Sequence, residues 1–493
     1  MAGRFTGAHR GGRKPRKMLL VNSPDIRLWE RSATELAALI AAREVSSREV
    51  VAAHLARIDE VNGRINALTV VLRQEALAAA DAADRAVSSS ALRADLGPFH
   101  GVPITVKENL DCKGTPTTHG IPALRDSLPW RDAPVVERMK AAGAIVIGRT
   151  NLSEYGLRLD TANPLRGRTR NPWNPGVTPG GSSGGDAAAL ATGMTPFGLG
   201  NDLAGSVRNP AYCCGIAALK PTVGRIPRAG SIPPLDFGFA LQAMAVEGPM
   251  ARSVADLRLG LATLAGRHVR DPRSVDAPLE GPPPAVPRAA LVLSIPGVEL
   301  PAATQGAIQR AGQLLARAGW EVELAEPPEL DLVNDTWLDL ALIDFSEMLP
   351  GLSMVVSPPV YRHMIRLCAL AEGREVDNSA LHARRSSLMR LWSEFLVRYP
   401  VVVGPTWTQL PWPVDADLDP ETGVALTLAT TRFILPANVL GLPAVALPMA
   451  VADGQPTGVQ FYADLWREDL CLLAAETVES GVERCVPIDP VWT

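Results

Sequence analysis

Apolar positions follow two different periods along the chain. Near the start, Val51, Leu55 and Ile58 recur at helical spacing and share one face. Two capping boxes, Ser32-x-x-Glu35 and Ser46-x-x-Glu49, precede such runs and supply acceptors for the free N–H groups of a first helical turn. The pattern predicts two helices, the second stopping at Asn62-Gly63, and a third, Ala-rich helix over about 73–87.

The period then shortens. Ile104-Thr105-Val106 predicts a strand after Gly101 and Pro103. Residues 132–142 predict a helix capped by Asp132 and stopped at Gly143, followed by a buried strand at Ala144 to Ile147. The unit recurs as a helix near 304–318, Gly319, and a strand from Glu321 to Leu324. Val401 to Val403 and Ala444 to Leu447 read as further buried strands. Helices alternating with short apolar strands predict an α/β fold with a largely covered central sheet. The Pro-, Asp- and Arg-rich stretch from Arg270 to Pro287 reads as a loop or hinge. Residues 1–17 read as a solvated basic tail, with Met18 an alternative translation start, and 18–493 as one domain.

Composition narrows the classes. The 493 residues are 47% apolar, enough for a large core, and the formal net charge of −4 argues against a nucleic-acid partner. No run of 18 apolar residues suggests a membrane span. The basic N-terminal residues lack the apolar segment of a secretory signal. The six cysteines, Cys112, Cys213, Cys214, Cys368, Cys471 and Cys485, form no CxxC pair and no zinc-spaced set with histidine. They predict reduced thiols in a cytoplasmic protein without a metal. Only six of the 48 basic residues are lysines, so Lys107, at the end of an apolar strand, stands out. A buried lysine can act as a neutral base, which arginine cannot.

Candidate chemistry centres on Pro179-Gly180-Gly181-Ser182-Ser183-Gly184-Gly185, which runs straight into an Ala-rich helix. It lacks the lysine of a phosphate loop. Gly181 to Gly185 fits the Gly-x-Ser-x-Gly nucleophile elbow of an α/β-hydrolase, with Ser183 at its centre, but Val177-Thr178-Pro179 reads as a turn and not the strand that elbow needs. Further on lies Gly200-Asn201-Asp202-Leu203-Ala204-Gly205-Ser206-Val207-Arg208, whose consecutive N–H groups can converge on one oxyanion. No histidine is singled out, though a Ser-His-Asp triad is spatial and stays compatible with the spacing.

Together with Gly101 to Asn109, these segments resemble the amidase signature family. Gly180 to Gly185 matches its Gly-Gly-Ser-Ser-Gly-Gly core, and Gly200 to Arg208 its Gly-x-Asp-x-Gly-Gly-Ser-x-Arg segment. Gly148-Arg149-Thr150-Asn151, Arg170 to Asn174, Leu219 to Thr222, Gly441 to Ala444 and Pro456 to Gln460 agree as well, so the resemblance spans about 32–480. It implies the amidase signature fold, a mixed central sheet covered by helices on both faces. It implies Ser206 as nucleophile, Ser182 on a cis peptide as bridge, and Lys107 as base. The backbone N–H groups of Leu203, Ala204, Gly205 and Ser206 would form the oxyanion hole, with Ser183, Asp202 and Arg208 in support. Neither cofactor nor metal is implied, the partner is a small-molecule amide, and a homodimer is a family-level expectation.

The chain departs from the family at Ala204, where glycine is usual. A positive φ there would cost about 1 kcal/mol. Two rival readings share the signature: the glutaminase subunit of a tRNA-dependent amidotransferase, and an inactive member serving as a scaffold. The acyl group is set by variable loops, where Trp337, Phe345, Met348, Tyr361 and Trp407 are candidates to line an apolar pocket.

Overall fold

A computed structural model describes residues 27–89, 96–232, 236–371 and 377–492. The basic tail and Met18 lie outside the described residues. Both capping boxes form, with Ser32 and Ser46 accepting from the N–H of Glu35 and Glu49. The helix Ser47–Ile65 runs past the expected stop. Asn62 stays helical because its side chain accepts from the N–H groups of Ala67 and Leu68, and the chain leaves the helix at Asn66, which takes the left-handed conformation. The helix expected from Asp132 is Pro134–Ala141. Asp132 does not cap it; its carboxylate binds the Lys113 N–H and Lys140.

The strands are β1 (Leu68–Val71), β2 (Pro103–Lys107), β3 (Ile145–Thr150), β4 (Ala162–Asn163), β5 (Gly167–Arg168), β6 (Phe197–Asp202), β7 (Ala217–Lys220), β8 (Val246–Ala251), β9 (Arg288–Leu291), β10 (Glu321–Leu324), β11 (Val401–Pro405), β12 (Ala444–Ala452) and β13 (Gln455–Tyr462). β4 and β5 pair by themselves. The other eleven form one sheet in the order β1-β3-β2-β6-β8-β7-β12-β13-β11-β9-β10. β3, β2 and β6 run parallel, as do β11, β9 and β10, and antiparallel pairs join these groups. The sheet is therefore mixed.

Successive side chains of a strand face opposite sides. Ile104, Val106, Val146, Ala217 and Leu219 enter one core with the helices Val254–Leu264, Ala302–Arg317 and Leu330–Leu352. Ile145, Ile147 and Ala218 enter a second core with Ser47–Ile65 and the Ala-rich helix Gly184–Ala191. Helices thus cover both faces of an α/β fold. No helix or strand lies between Leu264 and Arg288, the stretch that includes the expected loop. None of the described helices is long and apolar enough to cross a membrane.

Candidate active site

Because Ile104 and Val106 fill one core, Thr105 and Lys107 of β2 point to the other face. There the helix Gly184–Ala191 brings Asp186, which accepts from Thr105 Oγ1 at 3.4 Å and Thr150 Oγ1 at 2.6 Å. Lys107 is fully buried. Its Nζ donates to Ser182 Oγ and to Asn201 Oδ1, each at 2.7 Å, and Asn201 in turn donates to Asn109 Oδ1 at 3.0 Å. Arg149, also buried, donates to the carbonyls of Val106 and Lys107 and fixes the strand end from which the lysine projects.

Burial lowers the Lys107 pKa to about 8, against the opposing charges of Asp186, Glu247 and Asp202. Burial raises the Asp186 carboxyl. His119 also lines the cleft, and burial together with the Lys107 charge lowers its pKa to about 4, so it is neutral. Among the described residues no histidine side chain hydrogen-bonds to Ser182, Ser183 or Ser206.

The Gly181–Ser182 peptide is cis. Gly180 takes φ +77°, and a Cβ there would stand 2.5 Å from Pro210 Cα, so no other residue fits. Thr161 Oγ1 donates to the Gly180 carbonyl at 2.8 Å and accepts from the Gly184 N–H at 3.0 Å. The two serine loops are tied by the Ser183 N–H, which donates to the Ser206 carbonyl at 3.2 Å. Asn209 Nδ2 bridges them again, donating to the carbonyls of Gly181 and Ala204. The Ser183 hydroxyl is buried without a hydrogen-bond partner, so Ser183 supports the site through its main chain.

Ser206 lies just beyond β6. Asp202 accepts from the N–H groups of Gly205 at 2.8 Å and Val207 at 3.3 Å. The Gly205 N–H, one of the four amides expected to converge on an oxyanion, is thus already engaged by a carboxylate. Ala204 does not take a positive φ, so the expected backbone cost does not arise. The positive φ, +90°, falls on Gly205, where a Cβ would meet Asn209 Oδ1 at 2.5 Å. Arg208 braces the loop, donating twice to Asp202 at 3.1 Å. Lys220 is buried away from the cleft, with its Nζ on the Pro221 carbonyl.

Ser182, Ser206, Leu203 and Ala204 line a cleft that apolar side chains, among them Leu241, Met364 and Leu367, also line. Of the five side chains proposed for a pocket, Trp337, Phe345 and Met348 line it. Tyr361 packs against the main core, and Trp407 is buried with its Nε1 on Asn209 Oδ1 at 2.7 Å. Glu247 of β8 sits opposite Asn201 of β6 and also lines the cleft. Burial raises its pKa to about 7 in spite of Arg228, 3.2 Å away. Asn201, Asn209, Arg149 and Glu247 are site residues that sequence reasoning missed. The first three lay within or beside segments already singled out, but their roles depend on long-range contacts.

Residues 49–472 match the family model Amidase. Indoleacetamide hydrolase of Bradyrhizobium diazoefficiens is 41% identical over 92% of this chain and 87% of its own length. A glutamyl-tRNA(Gln) amidotransferase subunit of Acidothermus cellulolyticus is more distant, at 31% over 92% of this chain and 95% of its own. Among solved structures, 6-aminohexanoate cyclic dimer hydrolase superposes with a TM-score of 0.80 at 28% identity, covering 95% of this chain and 99% of that one. A bacterial aryl acylamidase superposes with a TM-score of 0.77 at 25% identity, covering 92% and 96%. The chain belongs to the amidase family and is a hydrolase that acts on amide C–N bonds.

Proposed function

We propose that this amidase hydrolyses a primary arylacetamide to the carboxylate and ammonia through an acyl-enzyme on Ser206. The observation that carries the mechanism is the contact of the buried Lys107 Nζ with Ser182 Oγ, 2.7 Å away, in the cleft that Ser206 also lines. A serine hydroxyl is a weak nucleophile and needs a base. Neutral Lys107 takes the Ser182 proton as Ser182 takes that of Ser206, and Ser206 Oγ bonds to the amide carbon. The oxyanion is held by the amides of Leu203, Ala204 and Ser206. The C–N bond then breaks and the proton returns through Ser182 to the leaving nitrogen as ammonia departs. Water attacks the acyl ester along the same proton route and releases the acid.

The arylacetyl assignment is supported by Trp337, Phe345 and Met348 in the cleft lining, and by the indoleacetamide hydrolase activity of the 41% identical relative. The free thiols fit a reducing compartment, the cytoplasm. The test is ammonia release from indoleacetamide, phenylacetamide, short aliphatic amides and glutamine. Release chiefly from the aryl amides is the expected result; release from glutamine alone would overturn this reading in favour of a glutaminase.

The base must be unprotonated, so kcat/KM is expected to rise with pH through about 8 and then level off. Glu247 is one of the anions that favour the protonated lysine. Glu247→Gln removes that charge, and this rising limb should move to lower pH. A limb that stays in place or moves up in this variant would remove Lys107 as the titrating group.

A further inference from the structure

A leaving nitrogen that takes its proton from Ser182 must come within hydrogen-bond reach of Ser182 Oγ. Gly156 flanks that oxygen: a Cβ added there would stand 3.6 Å from Ser182 Oγ and meet no other atom within 4 Å beyond its chain neighbours. Gly156 lines the cleft, and so do Tyr155 and His119. Tyr155 and His119 are tied together. The Tyr155 N–H donates to the His119 carbonyl at 2.9 Å, and the two rings pack with centroids 5.6 Å apart. Both residues take the left-handed conformation, with φ +55° and +52°. Non-glycine residues rarely do so, and those that do gather at functional sites.

No described residue uses the His119 ring. Burial, followed by the charges of Lys107, Arg228 and Arg149, holds its pKa down to about 4, so the ring is neutral. A neutral imidazole has one donor and one acceptor nitrogen, whichever of the two carries the proton. Neither nitrogen hydrogen-bonds to a described residue, and neither is among the unpartnered polar atoms sealed inside the protein. Both therefore keep accessible surface on a part-buried residue, and the open space beside this deep-lying ring is the cleft it lines. The other acceptors around Lys107 are taken. Asn201 Oδ1 receives Lys107 Nζ, Asn109 Oδ1 receives Asn201 Nδ2, and Glu247 has one oxygen on Arg228 and the other sealed from the cleft. An amide N–H that enters this space gives up water and needs an acceptor.

We infer that His119 accepts a hydrogen bond from the leaving nitrogen, turns its lone pair toward Ser182 Oγ, and so makes the site selective for amides over esters. This rests on the Ser206 acyl-enzyme reading above. The nitrogen keeps its own N–H bonds throughout, and the proton that completes ammonia comes from Ser182 as the C–N bond breaks. An ester presents an oxygen at the same place, with no N–H to give.

The test compares kcat/KM for phenylacetamide and methyl phenylacetate, or for the best amide found and its methyl ester. Each pair delivers one acyl group to Ser206, and kcat/KM covers only the steps through acylation. His119→Phe keeps a ring against Tyr155 and removes the acceptor. It should lower the amide value by about tenfold or more and leave the ester value within about threefold, because only the amide loses a hydrogen bond. His119→Asn and His119→Gln place an amide oxygen near Nδ1 and Nε2, and asparagine also suits the left-handed backbone. At least one of them should restore part of the amide rate, and ester turnover shows that each variant is folded. Equal loss on both substrates in His119→Phe, or no rescue by either amide side chain, overturns the assignment. An amide-specific loss in Tyr155→Phe with none in His119→Phe overturns it in favour of the tyrosine hydroxyl. If Ser206→Ala keeps both activities, the acyl-enzyme reading itself fails. If Ser206→Ala abolishes both while His119→Phe spares the amide, only this inference fails.

Discussion

Replacing Ser206 by alanine is expected to lower kcat by about 10⁴–10⁶-fold while leaving the thermal midpoint near that of the wild type. The side chain lost is small and lines the cleft, so stability should barely change. Lys107→Ala and Ser182→Ala should fall to a similar floor, because Lys107 acts only through the Ser182 hydroxyl 2.7 Å away. Residues that work as one relay are strongly non-additive: once the nucleophile or its base is gone, the rest have nothing to activate. The Lys107→Ala, Ser206→Ala double variant should therefore be no slower than Ser206→Ala alone. The residual rate should still exceed the uncatalysed one, since the amides of Leu203, Ala204 and Ser206 remain. Ser183→Ala separates this scheme from a nucleophile elbow. Its hydroxyl has no partner and its N–H bond to the Ser206 carbonyl survives the change, so activity should stay within a small factor of wild type. Wild-type-like turnover by Ser206→Ala, or a collapse in Ser183→Ala alone, would sink the mechanism. Labelling by a fluorophosphonate, lost in Ser206→Ala and kept in Ser183→Ala, checks the same point without a substrate.

How much of this could be read in advance depended on how local each signal was. Both capping boxes formed because four consecutive residues suffice to specify them. The strand ending at Lys107 was legible because buried apolar residues alternate there with polar ones. β6 and β8 were not. Phe197–Asp202 carries two glycines and Val246–Ala251 carries a glycine and a proline, residues that weaken any strand pattern, and only pairing within the large sheet makes them strands. Glu247 was hidden for that reason, since its place beside Asn201 is a matter of register. Asn209 lies one residue past the segment ending at Arg208, and nothing local to it shows that it bridges the two serine loops across 28 positions. The Gly205 amide was assigned to the oxyanion because it lies between converging neighbours; the nearby Asp202 carboxylate claims it. The pocket was half legible: Trp337 and Trp407 look alike in the chain, and the long helix Leu330–Leu352 carries the first to the cleft while Asn209 holds the second in the core.

The largest effect on stability is expected at Arg208. Its guanidinium is fully buried and makes five hydrogen bonds: two to Asp202, one each to the side chains of Gln460 and Asn438, and one to the Ile434 carbonyl. Burial by itself would raise the Asp202 carboxyl, but the charge and hydrogen bonds of Arg208, with Asn438, bring it down to about 2. Arg208→Met keeps much of the volume and removes the charge, leaving a buried carboxylate without its cation. Breaking a buried pair from one side costs about 3–5 kcal/mol. The sign of the pH dependence follows from the carboxyl. In the wild type its folded pKa is depressed, so the pair stabilises fully above the ordinary aspartate range and loses that stability as pH falls toward about 2. In Arg208→Met the folded pKa must rise, so protonation on acidification relieves the variant. The stability gap between the two proteins should therefore be widest near neutral pH and narrow as pH falls, in denaturant titrations at each pH. Activity should fall as well, because Asp202 also holds the Gly205 and Val207 amides that shape the loop before and after Ser206. Arg208→Met combined with Asp202→Asn removes the stranded charge and should recover part of the stability without the activity, since a neutral amide cannot replace both carboxylate contacts. A gap that does not change with pH, or a double variant no more stable than Arg208→Met, would show that packing, and not the ion pair, makes Arg208 necessary.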